Sequence, residues 1–174
     1  DADVALSMPG LGRFRVNVLK QRGSVGIVMR HVKGTILKFE ELHLPPNLER
    51  VCDFSRGLVL VTGTTGSGKS TTLASIIDRI NRMRRDHIIT LEDPIEFLHS
   101  NKKSVITQRE IGIDTKDFDT ALRAAMREDP DVILIGEMRD AETFGAAMSA
   151  SETGHLVFST LHTTNCMLTL DRIL

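Results

Sequence analysis

The sequence predicts an α/β protein with a mainly parallel sheet, preceded by part of a small α+β domain. Two observations lead to this fold class. From Gly57 onward, short apolar runs alternate with stretches of helical periodicity, which is typical of a parallel sheet with crossover helices. Before that point, two runs alternate apolar and polar residues, as half-buried antiparallel strands do. We therefore expect a small domain with its linker over 1–44 and a larger domain over 45–174.

The N-terminal region is expected to contribute two antiparallel strands. Residues 1–12 are rich in small residues and glycine, so they are interpreted as a loose lead-in. Apolar and polar residues alternate over 13–20 and again over 25–32, and the intervening 21–24 has the composition of a hairpin turn. The two strands would form the last part of the small domain.

The larger region is expected to alternate strands and helices. Apolar runs with β-branched residues indicate strands over 57–62, 87–91, 105–108, 131–135 and 155–160. Helical spacing, with proline at the start of the first helix, indicates helices over 46–54, 68–82, 117–127, 140–152 and from Asn165 onward. In the helix over 140–152, the side chains expected to face inward are Phe144, Ala147 and Met148.

Composition argues against several classes of protein. The 174 residues carry a formal net charge of -1, so no overall basic surface indicates nucleic-acid binding. No apolar run is long enough for a transmembrane helix. Cys52 and Cys166 lack metal-ligand spacing, so we expect reduced thiols in the cytosol and no zinc site. The chain does not begin with Met and ends inside a helical pattern, so it is expected to be a fragment.

One motif directly indicates phosphate chemistry. Residues 63–70 fit the phosphate-binding P-loop pattern and lie between a predicted strand and a predicted helix, where the mechanism requires them. Glycines let the backbone close around a phosphate, and the helix directs its positive dipole end there. Lys69 is expected to reach the β- and γ-phosphates, and Ser70 to ligate Mg²⁺. The predicted cofactor-binding residues are Gly63, Thr64, Thr65, Gly66, Ser67, Gly68, Lys69, Ser70 and Thr71.

Acidic residues and a histidine follow other strands of the predicted sheet. Glu137 ends an apolar strand, and it is expected near the P-loop because ligands bind beyond the carboxyl ends of parallel strands. A carboxylate there can orient a water molecule or hold water on Mg²⁺. Glu96 belongs to an acidic cluster over 92–96 that would need a nearby cation, and an ordinary acidic turn around Pro94 is the alternative. His162 is expected at the same edge, where it suits hydrogen bonding to a γ-phosphate.

Taken together, these motifs resemble the secretion-type traffic ATPases, and within them the type IV pilus retraction enzymes. The resemblance extends over nearly the whole chain and is carried by 12–17, 63–70, 91–97, 124–131, 136–143 and 152–163. It implies a RecA-like P-loop domain preceded by a PAS-like domain, ATP bound between the two, and assembly as a hexamer. The sequence of residues 152–158 is more similar to that of the retraction enzymes than to that of other family members. The prediction of pilus retraction (twitching motility) depends on this segment.

The resemblance also implies roles for individual residues. Glu137 would be the catalytic glutamate, Glu96 the glutamate of the family's Asp box and His162 the sensor of its His box. Both glutamates would reach Mg²⁺ through water. Arg15 and Arg30 match the arginines that the small domain directs at the γ-phosphate. The implied partners are further copies of the chain and a pilus platform protein of the inner membrane, at its cytoplasmic face, without direct nucleic-acid contact.

Other functions stay open from the sequence. Pilus extension, type II secretion and DNA-transfer ATPases belong to the same family. A GTPase would need an N-K-x-D motif, which the sequence lacks, and a small-molecule kinase would not need an acid at Glu137 to activate water. A nucleotide-binding module that regulates another motor without hydrolysis is a further alternative, against which Glu137 and Arg15 argue.

Overall fold

The computed structural model describes residues 2–32, 34–138, 140–163 and 167–169. Within these residues, it contains one three-stranded antiparallel sheet and one five-stranded parallel sheet. Helices cover both faces of the larger sheet. The structure therefore confirms the predicted fold class, an α/β domain preceded by a small antiparallel unit. The domain boundary near residue 44 stays a prediction.

The N-terminal sheet contains three strands in the order β1 (Ala2–Met8), β2 (Gly12–Gln21) and β3 (Ser24–Val32). The prediction of a loose segment over 1–12 was wrong, because residues 2–8 form β1 and pair antiparallel with β2. Alternate residues of β1 lie opposite apolar residues of β2, so the sheet has one apolar face. The paired residues on this face include Ala2 with Val18, Val4 with Val16 and Leu6 with Phe14.

The larger sheet has the strand order β4-β8-β7-β5-β6, and all of its pairs are parallel. Its strands are β4 (Gly57–Thr62), β5 (His87–Glu92), β6 (Val105–Glu110), β7 (Val132–Ile135) and β8 (Leu156–Leu161). In the described part of the chain, the helices include a 3-10 helix (Pro46–Asp53), α1 (Lys69–Met83), α2 (Phe118–Ala125) and α3 (Ala141–Glu152). None of these helices has the length and apolar composition needed to cross a membrane.

Both faces of the five-stranded sheet are buried, and consecutive strand residues point to opposite faces. One cluster packs α1 against the sheet, and its fully buried members include Ile76, Ile77, Ile80, Ile88, Val132, Leu156 and Phe158. The other cluster packs α2 and α3 against the opposite face and includes Ile89, Leu122, Ile133, Ile135, Ala147 and Val157. Burial on both faces explains why the central strand β7 is a continuous apolar run in the sequence.

Most predicted elements agree with the structure to within a few residues. The strand expected over 105–108 is an edge strand that extends to Glu110. Met148 was predicted to face inward, and this was wrong: its side chain is 36% exposed. The buried stripe of α3 runs instead through Thr143, Ala147, Ala150 and Ser151, which have the spacing of one helix face. The helix predicted from Asn165 and the thiol of Cys166 lie outside the described residues, apart from 167–169.

Truncating a fully buried isoleucine of α1 tests the packing between this helix and the sheet. Ile77→Ala should lower the free energy of unfolding by about 2 to 5 kcal/mol, because it removes buried methyl groups and leaves a cavity. Ile113→Ala, at a side chain that is 48% exposed, should lower it by less than about 1 kcal/mol. Denaturant unfolding measures both values, and equal losses would contradict the assigned core.

Candidate active site

The P-loop occupies the turn between β4 and α1. Gly68 is the N-cap of α1 and has a left-handed backbone with a φ of 93°, which glycine adopts at little cost. At the start of the loop, a Cβ on Gly63 would lie 2.5 Å from the Ser67 Oγ. The sequence therefore needs glycine at both positions in order to bend the backbone tightly at the end of β4.

The N-terminus of α1 differs from those of the other α-helices described above. Asp117 caps α2 by accepting a hydrogen bond from the Thr120 N–H (2.8 Å), and Asp140 caps α3 by accepting one from the Thr143 N–H (2.7 Å). Gly68 offers α1 no side chain that can accept such a bond. The N–H groups of the first turn, together with the positive end of the helix dipole, therefore suit an anion such as a phosphate.

Lys69 is held against the loop. The residue is only 8% exposed, and its Nζ donates hydrogen bonds to the carbonyl oxygens of Gly63 and Thr64, each at 3.0 Å. These bonds keep the ammonium group beside the loop backbone, the position from which a P-loop lysine reaches phosphate oxygens. Ser70, the next residue, lines the adjoining pocket.

A pocket of about 360 Å³ opens beside the P-loop and gathers much of the predicted site. Its wall includes the predicted catalytic residues Glu96, Glu137 and His162. It also includes most of the predicted cofactor-binding residues: Thr65, Gly66, Gly68, Lys69, Ser70 and Thr71. The other three, Gly63, Thr64 and Ser67, belong to the loop and do not contribute to the wall. The structure thus brings the phosphate-binding motif and the acids to one place.

Glu137 and His162 lie together at the carboxyl edge of the sheet. The Glu137 Oε2 is 3.6 Å from the His162 Nε2, and the Glu137 side chain is 18% exposed against 49% for His162. Thr160 on β8 holds the backbone on both sides of the acid. Its Oγ1 donates a hydrogen bond to the Gly136 carbonyl (2.7 Å), and its carbonyl accepts one from the Met138 N–H (3.3 Å). These bonds hold the backbone that carries Glu137 at the pocket wall, where a carboxylate is suited to orienting a water molecule.

Glu92, at the end of β5, is a buried acid of the pocket wall that was not among the predicted site residues. Its Oε1 accepts hydrogen bonds from the Thr90 Oγ1 (2.7 Å) and the Gln108 Nε2 (3.2 Å), and its Oε2 accepts one from the Glu96 N–H (3.4 Å). Burial raises the pKa of the Glu92 carboxyl, and the bonds from Thr90 and Gln108 oppose that rise. Glu92 lies at the end of a buried parallel strand, as Glu137 does. The argument from strand ends that predicted Glu137 could therefore have identified Glu92 as well.

His99 is a second residue of the pocket wall that the sequence did not single out. Burial lowers the pKa of its imidazole to about 4, with a smaller raising effect from Asp78 and a smaller lowering effect from Lys102. The ring is therefore neutral at pH 7. Its buried Nδ1 has no hydrogen-bond partner within the described residues. No sequence motif marks His99, because its side chain is buried only when the segment that carries it folds back along α1.

The predicted arginines of the small sheet are not among the described residues that line this pocket. Arg15 on β2 and Arg30 on β3 are direct cross-strand partners, so both side chains lie on one face of the sheet. Like charges placed opposite each other cost free energy unless an anion compensates them. The Arg15 Nε lies 3.9 Å from the Asp3 Oδ1. Their role toward a γ-phosphate stays a prediction.

A different arginine joins the two sheets. The Arg13 Nη2 donates a hydrogen bond to the Glu110 Oε2 at 3.3 Å, and only 7% of the Glu110 side chain is exposed. The same oxygen accepts a hydrogen bond from the Ile95 N–H, also at 3.3 Å. Since Ile95 lies between Glu92 and Glu96, one buried carboxylate connects the small sheet with the acidic end of β5.

The family follows from a comparison with known proteins. A sequence model of the family described as "Type II/IV secretion system protein" matches residues 1–174, the whole chain. The chain belongs to this family. The match includes the P-loop and the segments that carry Glu96, Glu137 and His162, which the structure places around one pocket.

Relatives within the type II/IV secretion family include pilus motors. The chain is 53% identical over 173 residues to the type IV pilus retraction ATPase PilT of Pseudomonas aeruginosa, covering 99% of this chain and 50% of that protein. It is also 53% identical to a twitching motility protein of Neisseria gonorrhoeae, covering 99% of this chain and 46% of that protein. A crystal structure of the pilus retraction motor PilT with bound ADP matches with a TM-score of 0.96 and 55% identity, over 99% of this chain and 50% of that one. The chain thus spans about half the length of the curated relatives it matches.

The buried imidazole of His99 should make the free energy of unfolding depend on pH. The pKa of His99 lies near 4 in the folded chain and near 6.5 in the unfolded chain, so protons bind preferentially to the unfolded chain between these values. As the pH falls from 6.5 to 4, His99 should therefore lower the free energy of unfolding by about 3 kcal/mol. Unfolding of His99→Asn at several pH values should show a curve that lacks this loss.

A matched control is His43→Asn, because His43 is exposed and has a left-handed backbone (φ 52°) that asparagine tolerates. The His43→Asn variant should keep the loss of stability between pH 6.5 and 4 that is expected from His99. The same loss in His99→Asn would contradict the burial of the imidazole.

Proposed function

We propose that the chain is the nucleotide-binding part of an ATP-hydrolysing motor that retracts type IV pili. The observation that carries this proposal is the shared pocket, whose wall contains both the P-loop with Lys69 and the Glu137–His162 pair. A nucleotide switch or a passive binding module would need only the first of these features. The relatives that are named as a pilus retraction ATPase and a twitching motility protein support the direction of the force.

In this proposal, the P-loop and the first turn of α1 bind the phosphates of ATP. The backbone N–H groups of the loop surround the phosphate chain, and Lys69 compensates its charge. Ser70 would hold Mg²⁺, with Glu96 and Glu137 reaching it through water. When bound, the ion neutralises charge that develops on the transferred phosphoryl group. The uncapped N-terminus of α1 and its glycine loop fit this ligand.

Glu137 is proposed as the residue that orients the attacking water. The backbone on both sides of this residue is hydrogen-bonded to Thr160, which keeps Glu137 at the pocket wall. His162, within 3.6 Å of the carboxylate, is placed to contact the same water or a γ-phosphate oxygen. Glu96 would act from another part of the same pocket wall, and Thr71 would complete the cofactor-binding residues on α1.

The remaining parts of the proposal concern assembly. Arg15 and Arg30 are proposed to act on the γ-phosphate from the small domain, which explains two arginines side by side on β2 and β3. The motor is proposed to work as a hexamer at the cytoplasmic face of the inner membrane, against a pilus platform protein and without direct contact to nucleic acid. A ring would bring each small domain next to a pocket.

Removing the carboxylate of Glu137 should separate binding from hydrolysis. Glu137→Gln should keep affinity for Mg-ATP within about threefold and lower turnover by about 10²- to 10⁴-fold, because the amide cannot accept a proton from water. Phosphate release by the full-length protein and binding of a fluorescent ATP analogue measure the two effects. Glu142→Gln, at an exposed glutamate of α3, is the isosteric control and should behave like the unmodified protein.

Removing the ammonium group of Lys69 should weaken binding itself. Lys69→Ala should lower the affinity for ATP by about 10- to 100-fold, the loss expected for a charge-assisted hydrogen bond. Lys116→Ala is the control, because that side chain is 87% exposed. Unchanged affinity in Lys69→Ala would overturn the assignment of the phosphate site.

Pilus retraction is tested in cells. The full-length gene, introduced into a piliated strain that lacks its own retraction motor, should restore twitching motility, and the Glu137→Gln version should not. Restored piliation of a strain that lacks its extension motor, without restored twitching, would instead favour pilus extension. Failure of both, with ATP turnover intact, would point to a secretion or DNA-transfer machine.

A further inference from the structure

Gln108, on β6, contacts the segment 92–99 at three points. Its Nε2 donates hydrogen bonds to the Glu92 Oε1 (3.2 Å) and to the Phe97 carbonyl (3.0 Å). Its Oε1 accepts a hydrogen bond from the His99 N–H (2.8 Å). An amide is one of the few side chains that donates and accepts at the same time, so one residue satisfies groups from both ends of the segment.

The strand β6 supports this segment at a further position. Glu110 lies two residues beyond Gln108 and therefore on the same side of the strand. It accepts the hydrogen bond from the Ile95 N–H, in the middle of the segment. Because β6 is the edge strand of the sheet and pairs with β5, it runs directly alongside the strand from which the segment emerges.

The other end of the segment continues onto α1. Asn81 is fully buried, and its Nδ2 donates a hydrogen bond to the Ser100 carbonyl at 2.8 Å, while its Oδ1 accepts one from the Lys102 N–H at 3.0 Å. The segment is thus held by β6 over 92–99 and by α1 just beyond. Among these contacts, those of Gln108 are the ones that involve a side chain of the pocket wall, the Glu92 carboxylate.

We propose that Gln108 is a positioning residue for the reaction, because its amide fixes the segment 92–99 and thereby keeps Glu96 in the wall of the P-loop pocket. Gln108 is not among the described residues that line the pocket, so it acts through this segment and not by contact with the nucleotide. The inference rests on the proposed ATPase function for its effect on turnover. Its effect on the segment is independent of that function.

The chemistry of Gln108 makes the isosteric change to glutamate informative. In Gln108→Glu, one oxygen can still accept the His99 N–H, but the other would replace the Nε2 that now donates to Glu92 and Phe97. The new carboxylate oxygen, the Glu92 Oε1 and the Phe97 carbonyl oxygen would then be three hydrogen-bond acceptors without a donor. This arrangement favours displacement of the segment. A proton bound by either carboxyl at lower pH supplies the missing donor.

The first test measures ATP turnover by the full-length protein as a function of pH. At pH 8, Gln108→Glu should lower kcat by about 10- to 100-fold, since small displacements of positioned groups have effects of that size. KM should stay within about twofold, because the P-loop is untouched. The loss should shrink toward pH 6. Gln108→Met, which also loses the three hydrogen bonds but cannot take up a proton, should show the loss without this recovery.

A second readout does not depend on turnover. In ligand-free protein at pH 8, amide hydrogen exchange over 93–99 should be faster in Gln108→Glu than in the unmodified chain, and the difference should narrow toward pH 6. Gln21→Glu, the same change at the exposed end of β2, should alter neither exchange nor kinetics.

The outcomes separate two failures. Unchanged exchange over 93–99, or a kcat loss with no difference in pH dependence between the Glu and Met variants, would overturn the role of Gln108. So would a parallel loss of ATP affinity, kcat and melting temperature, which would indicate a purely structural residue. If the unmodified protein shows no turnover while exchange responds as expected, the proposed ATPase function fails and the positioning by Gln108 stands.

Discussion

The register of the parallel strands is the constraint on which the site depends. Leu156 of β8 lies opposite both Gly57 of β4 and Val132 of β7, and Val132 lies opposite Ile88 of β5. Because these strands start level and run in the same direction, the segments that leave them emerge at one edge. The P-loop and the acids that follow β5 and β7 therefore meet although they are far apart in the sequence. A slip of one residue in β7 would reverse the faces of its side chains and displace Glu137 from this edge.

The carboxyl edge of the sheet holds buried ionisable groups that the surrounding structure supplies with hydrogen bonds. Lys69 is 8% exposed and Glu92 is 9% exposed, and burial of an ionised group costs several kcal/mol unless hydrogen bonds replace its water. Loop carbonyls supply those bonds to Lys69, and Thr90 and Gln108 supply them to Glu92. The polar groups are thereby fixed before any ligand binds, and this preorganisation is what makes such groups effective in a low-dielectric site.

Sequence reasoning found the features that depend on local pattern. The P-loop needs only a few neighbouring residues between a strand and a helix, and Glu137 is marked by the apolar strand before it. Sequence reasoning missed β1. Small residues obscure the alternation of apolar and polar side chains in this strand, and the alternation becomes clear only from its pairing with β2. The same reasoning also missed Gln108 and His99. Their significance comes from the path of 92–104 between β6 and α1, and no periodicity in that segment encodes this path.

The contact between the two sheets connects the small sheet, through Glu110, with the segment that carries Glu96 into the pocket wall. Arg13, Arg15 and Arg30 share the polar face of the small sheet, because Arg13 and Arg15 are two residues apart and Arg15 lies opposite Arg30. Arg13 is bound to Glu110, and Glu110 also holds the Ile95 N–H. The face that carries the proposed arginine fingers is therefore the face that is bound to Glu110, the residue that also holds the acidic segment. Any rotation of the small sheet that moves Arg15 and Arg30 must also move or break the bond from Arg13 to Glu110, a buried carboxylate that is hydrogen-bonded to the backbone of that segment.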